Sequence, residues 1–349
     1  MSSIKGPGLF LAQFFRDDAP FNNITSISTW AADLGYKGVQ IPTWDPRAIN
    51  LDKAAKSKAY CDDYKAMLAD LGLEITELAA HLQGQVVAIN RAYEVGFEPF
   101  HPKGLKGAAR TKWAQGELKK VIAASANLGL KTIVSFTGGF AWHMIYPWPQ
   151  RPAGMVEESF KELAKRWKPL LDAAADSGQT FSFELHPGSD VFDGATFERM
   201  LEATGNHPAL CINYDPSHFV LQQLDYLEFI KLYGQRIKAF HVKDAEFRPS
   251  GRAGVYGGYL GWSDRPGRFR SLGDGQVDFK RIFTLLTEAG YDSWAVLEWE
   301  CVVKSPDQGA REGAPFIAGH IIEATTVAFD DFAGAKTDVK RNRQMLGLD

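Results

Sequence analysis

Cysteine is scarce in this chain: three in 349 residues, Cys61, Cys211 and Cys301, widely spaced and without a Cys-x-x-Cys pair or a Cys/His cluster. That scarcity excludes a disulfide framework and a thiolate zinc site, and it points to a reducing compartment. Runs of Lys and Arg are lacking as well. With 39 basic against 42 acidic residues the formal net charge is −3, which argues against a protein that lives on a phosphate backbone or an anionic membrane. Residues 1–10 carry one Lys and are broken by Gly6-Pro7-Gly8, too little apolar length for a signal h-region or a membrane span. The expectation is a cytoplasmic protein that binds neither nucleic acid nor membrane. Also missing is a dinucleotide fingerprint after the first apolar run, which disfavours an open doubly wound sheet.

What is present is a recurring junction, in which an amphipathic run ends at a Gly and a β-branched or aromatic run follows. Seven such junctions stand in the sequence, at Gly35, Gly72, Gly129, Gly178, Gly205, Gly234 and Gly290. A helix commonly closes with a left-handed residue, where Gly escapes the Cβ penalty, so each junction reads helix-to-strand. The opening run 8–14 (GLFLAQF) adds an eighth strand, alternating with helical segments such as 26–34, 114–128 and 156–175. Eight βα units predict an α/β fold, a closed (β/α)8 TIM barrel, as a single domain over residues 1–333 with a C-terminal extension at 334–349. The strand-to-helix connections 82–112, 138–154 and 245–274 are long and the return turns short. Such asymmetry belongs to a barrel with its active site at the strand C-termini.

In four successive strands an ionisable residue sits near the C-terminal end of an apolar run: Glu184 in TFSFELH, Asp215 in ALCINYD, His241 in IKAFHVKD and Glu298 in WAVLEWE. Strand alternation puts Ser182, Glu184 and His186 on one face, as it does Cys211, Asn213 and Asp215, and Ala239, His241 and Lys243. Gathered at the barrel mouth, three carboxylates and one imidazole suit a divalent ion, manganese foremost, with magnesium, cobalt or zinc as alternatives. The competing account keeps them separate, with the glutamates paired to Lys or Arg, Asp215 capping a helix and His241 a satisfied core histidine. Four equivalent positions in consecutive units favour the shared cation.

These strand ends resemble the xylose isomerase-like sugar phosphate isomerase/epimerase superfamily, which includes tagatose/psicose 3-epimerases, 3-keto-sugar epimerases and the barrel subunits of C-glycoside deglycosidases. The resemblance runs over about residues 9–332 and is most specific in FELHPG, NYDPSH, FHVKD, SLGDG and VLEWE. It implies that Glu184, Asp215, His241 and Glu298 bind one divalent cation. Glu300 shares a strand face with Glu298, and the resemblance selects Glu298 as ligand. It further implies that Glu184 and Glu298 exchange a proton with the carbon next to a substrate carbonyl through a cation-stabilised enediolate. His218 falls where the family has a histidine touching substrate or orienting a ligand, and His81 resembles a substrate-facing histidine.

His186, Lys243 and Glu300 share the inward face of their strand ends and are candidate substrate contacts. Trp142, in a long loop with Trp148, Tyr256, Tyr259 and Trp262, offers an aromatic face to a sugar ring. His101 and His143 lie in loops too. Residues 248–275, with Arg252, Arg265, Arg268 and Arg270 among glycines, read as a lid, Arg270 gripping an anionic or hydroxyl group of the substrate. That lid is longer than in the monosaccharide 3-epimerases, which suggests a glycoside.

The leading expectation is therefore a sugar isomerase or epimerase on a small-molecule sugar or keto-glycoside. The alternative is a lyase that β-eliminates from a 3-keto-glycoside, as a homo-oligomer or with a small partner subunit, and a catalytically silent binding subunit is a further reading. An endonuclease IV-like role is disfavoured, since Asp244 is followed by Glu246 where a second Asp-x-His pair would stand.

Overall fold

The computed structural model describes residues 4–325 and 337–348. The boundary expected at residues 333 and 334 lies outside the described residues. Eight strands close a parallel barrel: β1 (Lys5–Phe10), β2 (Gly38–Pro42), β3 (Glu74–Ala79), β4 (Thr132–Ser135), β5 (Thr180–Glu184), β6 (Leu210–Tyr214), β7 (Ile237–Val242) and β10 (Trp294–Leu297). Between the last two, β8 (Asp244–Phe247) and β9 (Gly267–Arg270) form a separate antiparallel ribbon. Ladder closure runs from β10 to β1, with Gly8 opposite Val296 and Leu9 opposite Leu297.

Six of the seven junction glycines are left-handed, with φ from 69° to 95°. Gly234 departs from the pattern at φ −51°, because the helix Tyr226–Tyr233 runs on into a 3-10 turn, Gly234–Arg236. The first strand also differs from the expected 8–14: it ends at Phe10, and Leu11–Gln13 turns into a 3-10 helix. That turn brings the Gln13 amide over the barrel mouth, where Nε2 donates to Glu298 Oε1 at 3.0 Å. The segment 82–112 is no single loop. It holds the short helix His81–Val87 and the start of Gly107–Leu128, while 245–274 contains the ribbon with an excursion at 248–266.

The packing follows from periodicity. Along the helix Met155–Asp176, Phe160, Leu163, Trp167, Leu170, Leu171 and Ala174 form one buried stripe. Trp167 packs edge-on against Phe183 and Phe181, ring centroids 4.6 and 5.3 Å away, and its indole N–H donates to Thr137 O. A second, smaller apolar cluster lies inside the barrel, made of Phe10, Ala79, Val134, Ala239, Trp294 and Val296. Trp294 plugs the interior beside Gly38. A Cβ at residue 38 would lie 2.8 Å from the indole and 2.6 Å from Thr76 Cγ2, so only glycine fits there. This apolar cluster shares the barrel interior with the buried polar groups of Gln40 and Glu77, below the strand ends from which the ionisable groups project.

Candidate metal centre

Each of the four strand-end residues arrives by a different local route. Glu184 is the last residue of β5 and His241 lies within β7, while Glu298 follows β10 directly. Asp215 is the N-cap of the helix Pro216–Gln222: its Oδ1 accepts from the Ser217 N–H at 2.8 Å. The capping account of Asp215 and the cluster account therefore both hold, because one oxygen caps and the other turns inward. One ligand atom from each of Glu184, Asp215, His241 and Glu298 lies within 4.8 Å of the others, and all four residues are buried.

The contacts around them form one network. His241 Nδ1 sits 2.9 Å from Glu298 Oε2 and 3.2 Å from Glu184 Oε2. His218 Nε2 is 3.0 Å from Glu184 Oε1 and 3.3 Å from Asp215 Oδ2. His81 Nε2 is 3.2 Å from Glu184 Oε2. Lys243, also buried, places Nζ 2.9 Å from Glu300 Oε2, 3.3 Å from Glu298 Oε2 and 3.6 Å from Asp215 Oδ2, with the Phe269 ring 4.3 Å away.

Burial would raise the carboxylates, yet His218, His241 and His81 hold Glu184 well below the usual range, and Lys243 and His241 bring Glu298 down to about 2. Burial would lower the imidazoles, but Asp215 and Glu184 push His218 up to about 9, and Glu298 and Glu184 push His241 up to about 10. His186 goes the other way, down to about 3, through burial and the positive charge of His218. Its ring stands edge-on to His218 with centroids 4.2 Å apart. Buried carboxylates are thus matched by buried cations, the condition under which charge survives in an interior.

The structure brings Glu184, Asp215, His241, Glu298, His218, His81, His186, Lys243 and Glu300 together, and it places the other candidates elsewhere. Arg270 pairs with Glu246, Nη1 to Oε2 at 2.9 Å. Alternation along β9 sets Arg268 and Arg270 on the face opposite Phe269, and it is Phe269 that meets His218, centroids 5.3 Å apart. Trp142 begins a 3-10 helix, packs against Phe192 at 5.0 Å and lines a separate cleft with Ile145, Arg151 and Thr196. His101 contacts Pro102 O, and His143 packs beside Tyr93.

Several neighbours have no role assigned from the sequence, although strand alternation sets Asn213 on the same face as Asp215. Asn213, on the inward face of β6, places Nδ2 3.3 Å from Glu184 Oε2 and 3.1 Å from His241 Nδ1. Gln40 and Glu77 lie beneath His241, and Phe10 and Phe136 wall the histidines. Alternation in GVQIPT and EITELAA could have flagged Gln40 and Glu77, as polar groups inside apolar runs.

The donor set fits a divalent cation. Asp215 Oδ2 is buried and makes no hydrogen bond, only ion-pair contacts to His218 Nε2 at 3.3 Å and Lys243 Nζ at 3.6 Å, which leaves its lone pairs open to a divalent cation. A closed eight-stranded barrel with three carboxylates and an imidazole converging at its C-terminal mouth defines the class: a TIM barrel with a candidate divalent-cation site. The model of the xylose isomerase-like TIM barrel matches residues 29–320, and the chain belongs to that family.

Among curated relatives, the inosose dehydratase of Clostridium botulinum (strain Alaska E43 / Type E3) is 31% identical over 165 residues, 46% of this chain and 54% of that protein. The chain thus spans about half the length of the curated relatives it matches. Among solved structures, the 3-keto-D-glucoside 4-epimerase of E. coli superposes with a TM-score of 0.62 at 16% identity, covering 89% of this chain and 98% of that one. The IOLI protein with a bound zinc atom gives 0.59 at 18% identity, covering 93% and 100%. Both likenesses are of fold. Among the described residues no helix is long and apolar enough to cross a membrane.

Proposed function

We propose that this chain is a divalent-metal enzyme that removes the proton next to the carbonyl of a cyclic keto-polyol and then expels the oxygen substituent on the following carbon. The observation that carries the reading is the convergence of Glu184, Asp215, His241 and Glu298 within 4.8 Å beside further buried proton-carrying groups. These four residues would hold the cation, manganese first and zinc, cobalt or magnesium next. When bound, it supplies positive charge where negative charge develops on the carbonyl oxygen.

Glu184 takes the proton. As the C–H pair becomes the new C=C bond, the neighbouring C–O bond breaks, and the departing oxygen takes the proton carried by His218. Glu184 Oε1 and His218 Nε2 are 3.0 Å apart, so the abstracted proton passes between them and both groups return to their starting states. Lys243 and His186 orient hydroxyls, and Phe269 covers the site over Lys243. The relatives named inosose dehydratases support elimination.

Epimerisation is the second reading, favoured by the second carboxylate: Glu298, on a different stave from Glu184, is placed to return the proton on the other face. In either reading we place the protein in the cytoplasm, acting on a small molecule as a homo-oligomer or with a small partner chain.

The test is a panel of keto-inositols and 3-keto-glycosides with manganese in deuterated water. Elimination releases water or an aglycone and leaves an unsaturated ketone that absorbs in the ultraviolet, whereas an epimer keeps every substituent. Deuterium enters one carbon, and Glu184→Gln loses both exchange and product. Full exchange in Glu184→Gln and in Glu298→Gln would overturn the assignment.

A further inference from the structure

Beneath the cation site lies a buried polar relay that the proposed chemistry does not use. His241 has its Nε2 3.0 Å from Gln40 Oε1, and Gln40 Nε2 donates to Glu77 Oε2 at 3.1 Å. All three side chains are fully enclosed. They come from β7, β2 and β3, so the relay crosses the barrel interior from one wall to the other.

We propose that Gln40 and Glu77 are positioning residues that hold the ring proton of His241 on Nε2 and so leave Nδ1 free for the cation. This rests on the metal-enzyme reading above and adds to it a determinant of metal affinity. Gln40 Nε2 donates to Glu77 Oε2, a bond that offsets part of the upward shift burial gives that carboxyl, and the Gln40 carbonyl turns toward His241. A carbonyl at Nε2 requires the ring proton there. Nδ1, which lies 2.9 Å from Glu298 Oε2 and 3.2 Å from Glu184 Oε2, is then the nitrogen that gives up its proton when a cation takes that proton's place.

Reversal of the amide would set the NH2 against Nε2 and drive the ring proton to Nδ1. There it would point at the two carboxylates and occupy the cation's place. Among the described residues, Gln40 Oε1 is the group within hydrogen-bond distance of Nε2, and Glu77 Oε2 is the acceptor that holds the Gln40 amide in that sense. Outer partners of this kind typically change metal affinity by about 10–100-fold when removed.

The experiment is manganese titration of the full chain, with free ion followed by electron paramagnetic resonance. It compares wild type, Gln40→Met, Glu77→Leu and Glu77→Gln, with the thermal midpoint of each measured in chelator. Gln40→Met keeps length and bulk but loses the carbonyl, and its Kd for manganese rises by about 10–100-fold. Glu77→Leu moves in the same direction, and Glu77→Gln, whose amide oxygen still accepts from Gln40, stays close to wild type.

A lowered midpoint with unchanged Kd in both Gln40→Met and Glu77→Leu means the relay only supports the fold, and it overturns the proposal. If Gln40→Met does not fold, nitrogen-15 spectra of zinc-loaded wild type decide, since a proton found on Nδ1 of His241 overturns it equally. Wild type that binds no manganese defeats the metal reading itself, an outcome distinct from a relay without effect.

Discussion

Asp215 divides its two oxygens between jobs that are usually rivals. Oδ1 caps the helix Pro216–Gln222 through the Ser217 N–H, and Oδ2 faces His218 and Lys243 at the mouth. Asparagine caps a helix about as well as aspartate, but its amide brings no negative charge. Asp215→Asn is therefore expected to keep the helix cap but to leave His218 and Lys243 without this buried counter-charge, losing about 3–5 kcal/mol in urea, while isothermal titration finds manganese binding lost or severely weakened. Manganese binding left intact would reverse this division of roles. The same residue shows why a structural explanation and a functional one need not exclude each other, since the cap fixes the rotamer that aims the second oxygen.

The β8–β9 ribbon works as an element because its two faces carry different chemistry. Glu246 on one face holds Arg268 and Arg270, and Phe269 on the other lies over Lys243 and beside His218. At its root, the Asp244 carboxylate accepts from the N–H groups of Ala245, Gly273, Gly275 and Val277, at 2.8, 2.9, 2.9 and 3.2 Å. Gly275 packs against it so closely that an added Cβ would stand 2.1 Å from Asp244 Oδ1. In Asp244→Ala these donors lose a charged acceptor in a largely buried setting, each such bond contributing roughly 1.5–3 kcal/mol. We expect a loss of at least about 3 kcal/mol overall, with hydrogen exchange of residues 271–277 accelerated first. Uniform loss of protection across the barrel, with no early opening of that segment, would show that Asp244 does not anchor the ribbon's return.

At the scale of the whole molecule, the four candidate ligand residues stand in or directly after β5, β6, β7 and β10, staves that are neighbours in the closed barrel. A cation shared among them would tie the second half of the sheet together at its rim. Binding to the folded chain and not to the unfolded one stabilises by about 2.7 kcal/mol at a hundredfold excess over Kd. Added manganese is therefore expected to raise the thermal midpoint of wild type, chelator to reverse the rise, and Asp215→Asn to show none. A midpoint indifferent to manganese, zinc, cobalt and magnesium alike would sink the shared-cation reading.

The sequence by itself determined the barrel, because a left-handed glycine at six of the seven helix-to-strand junctions and an apolar run after each junction are local facts of backbone sterics and side-chain period. It also determined which four strand ends carry the cluster, since an ionisable group ending an apolar run leaves few inexpensive burials. The first strand's early end at Phe10, the helix His81–Val87 within an expected loop and the fold of residues 245–274 into a ribbon depended on distant partners such as Glu298 and Asp244. Tertiary structure alone decided that Phe269, and not Arg270, faces the site, because a two-stranded ribbon fixes which side chains turn inward only once its register is set. It likewise decided that Gln40 and Glu77, distant in sequence from His241, meet it inside the barrel, a contact that exists because the sheet closes on itself and sets opposite walls within hydrogen-bond reach.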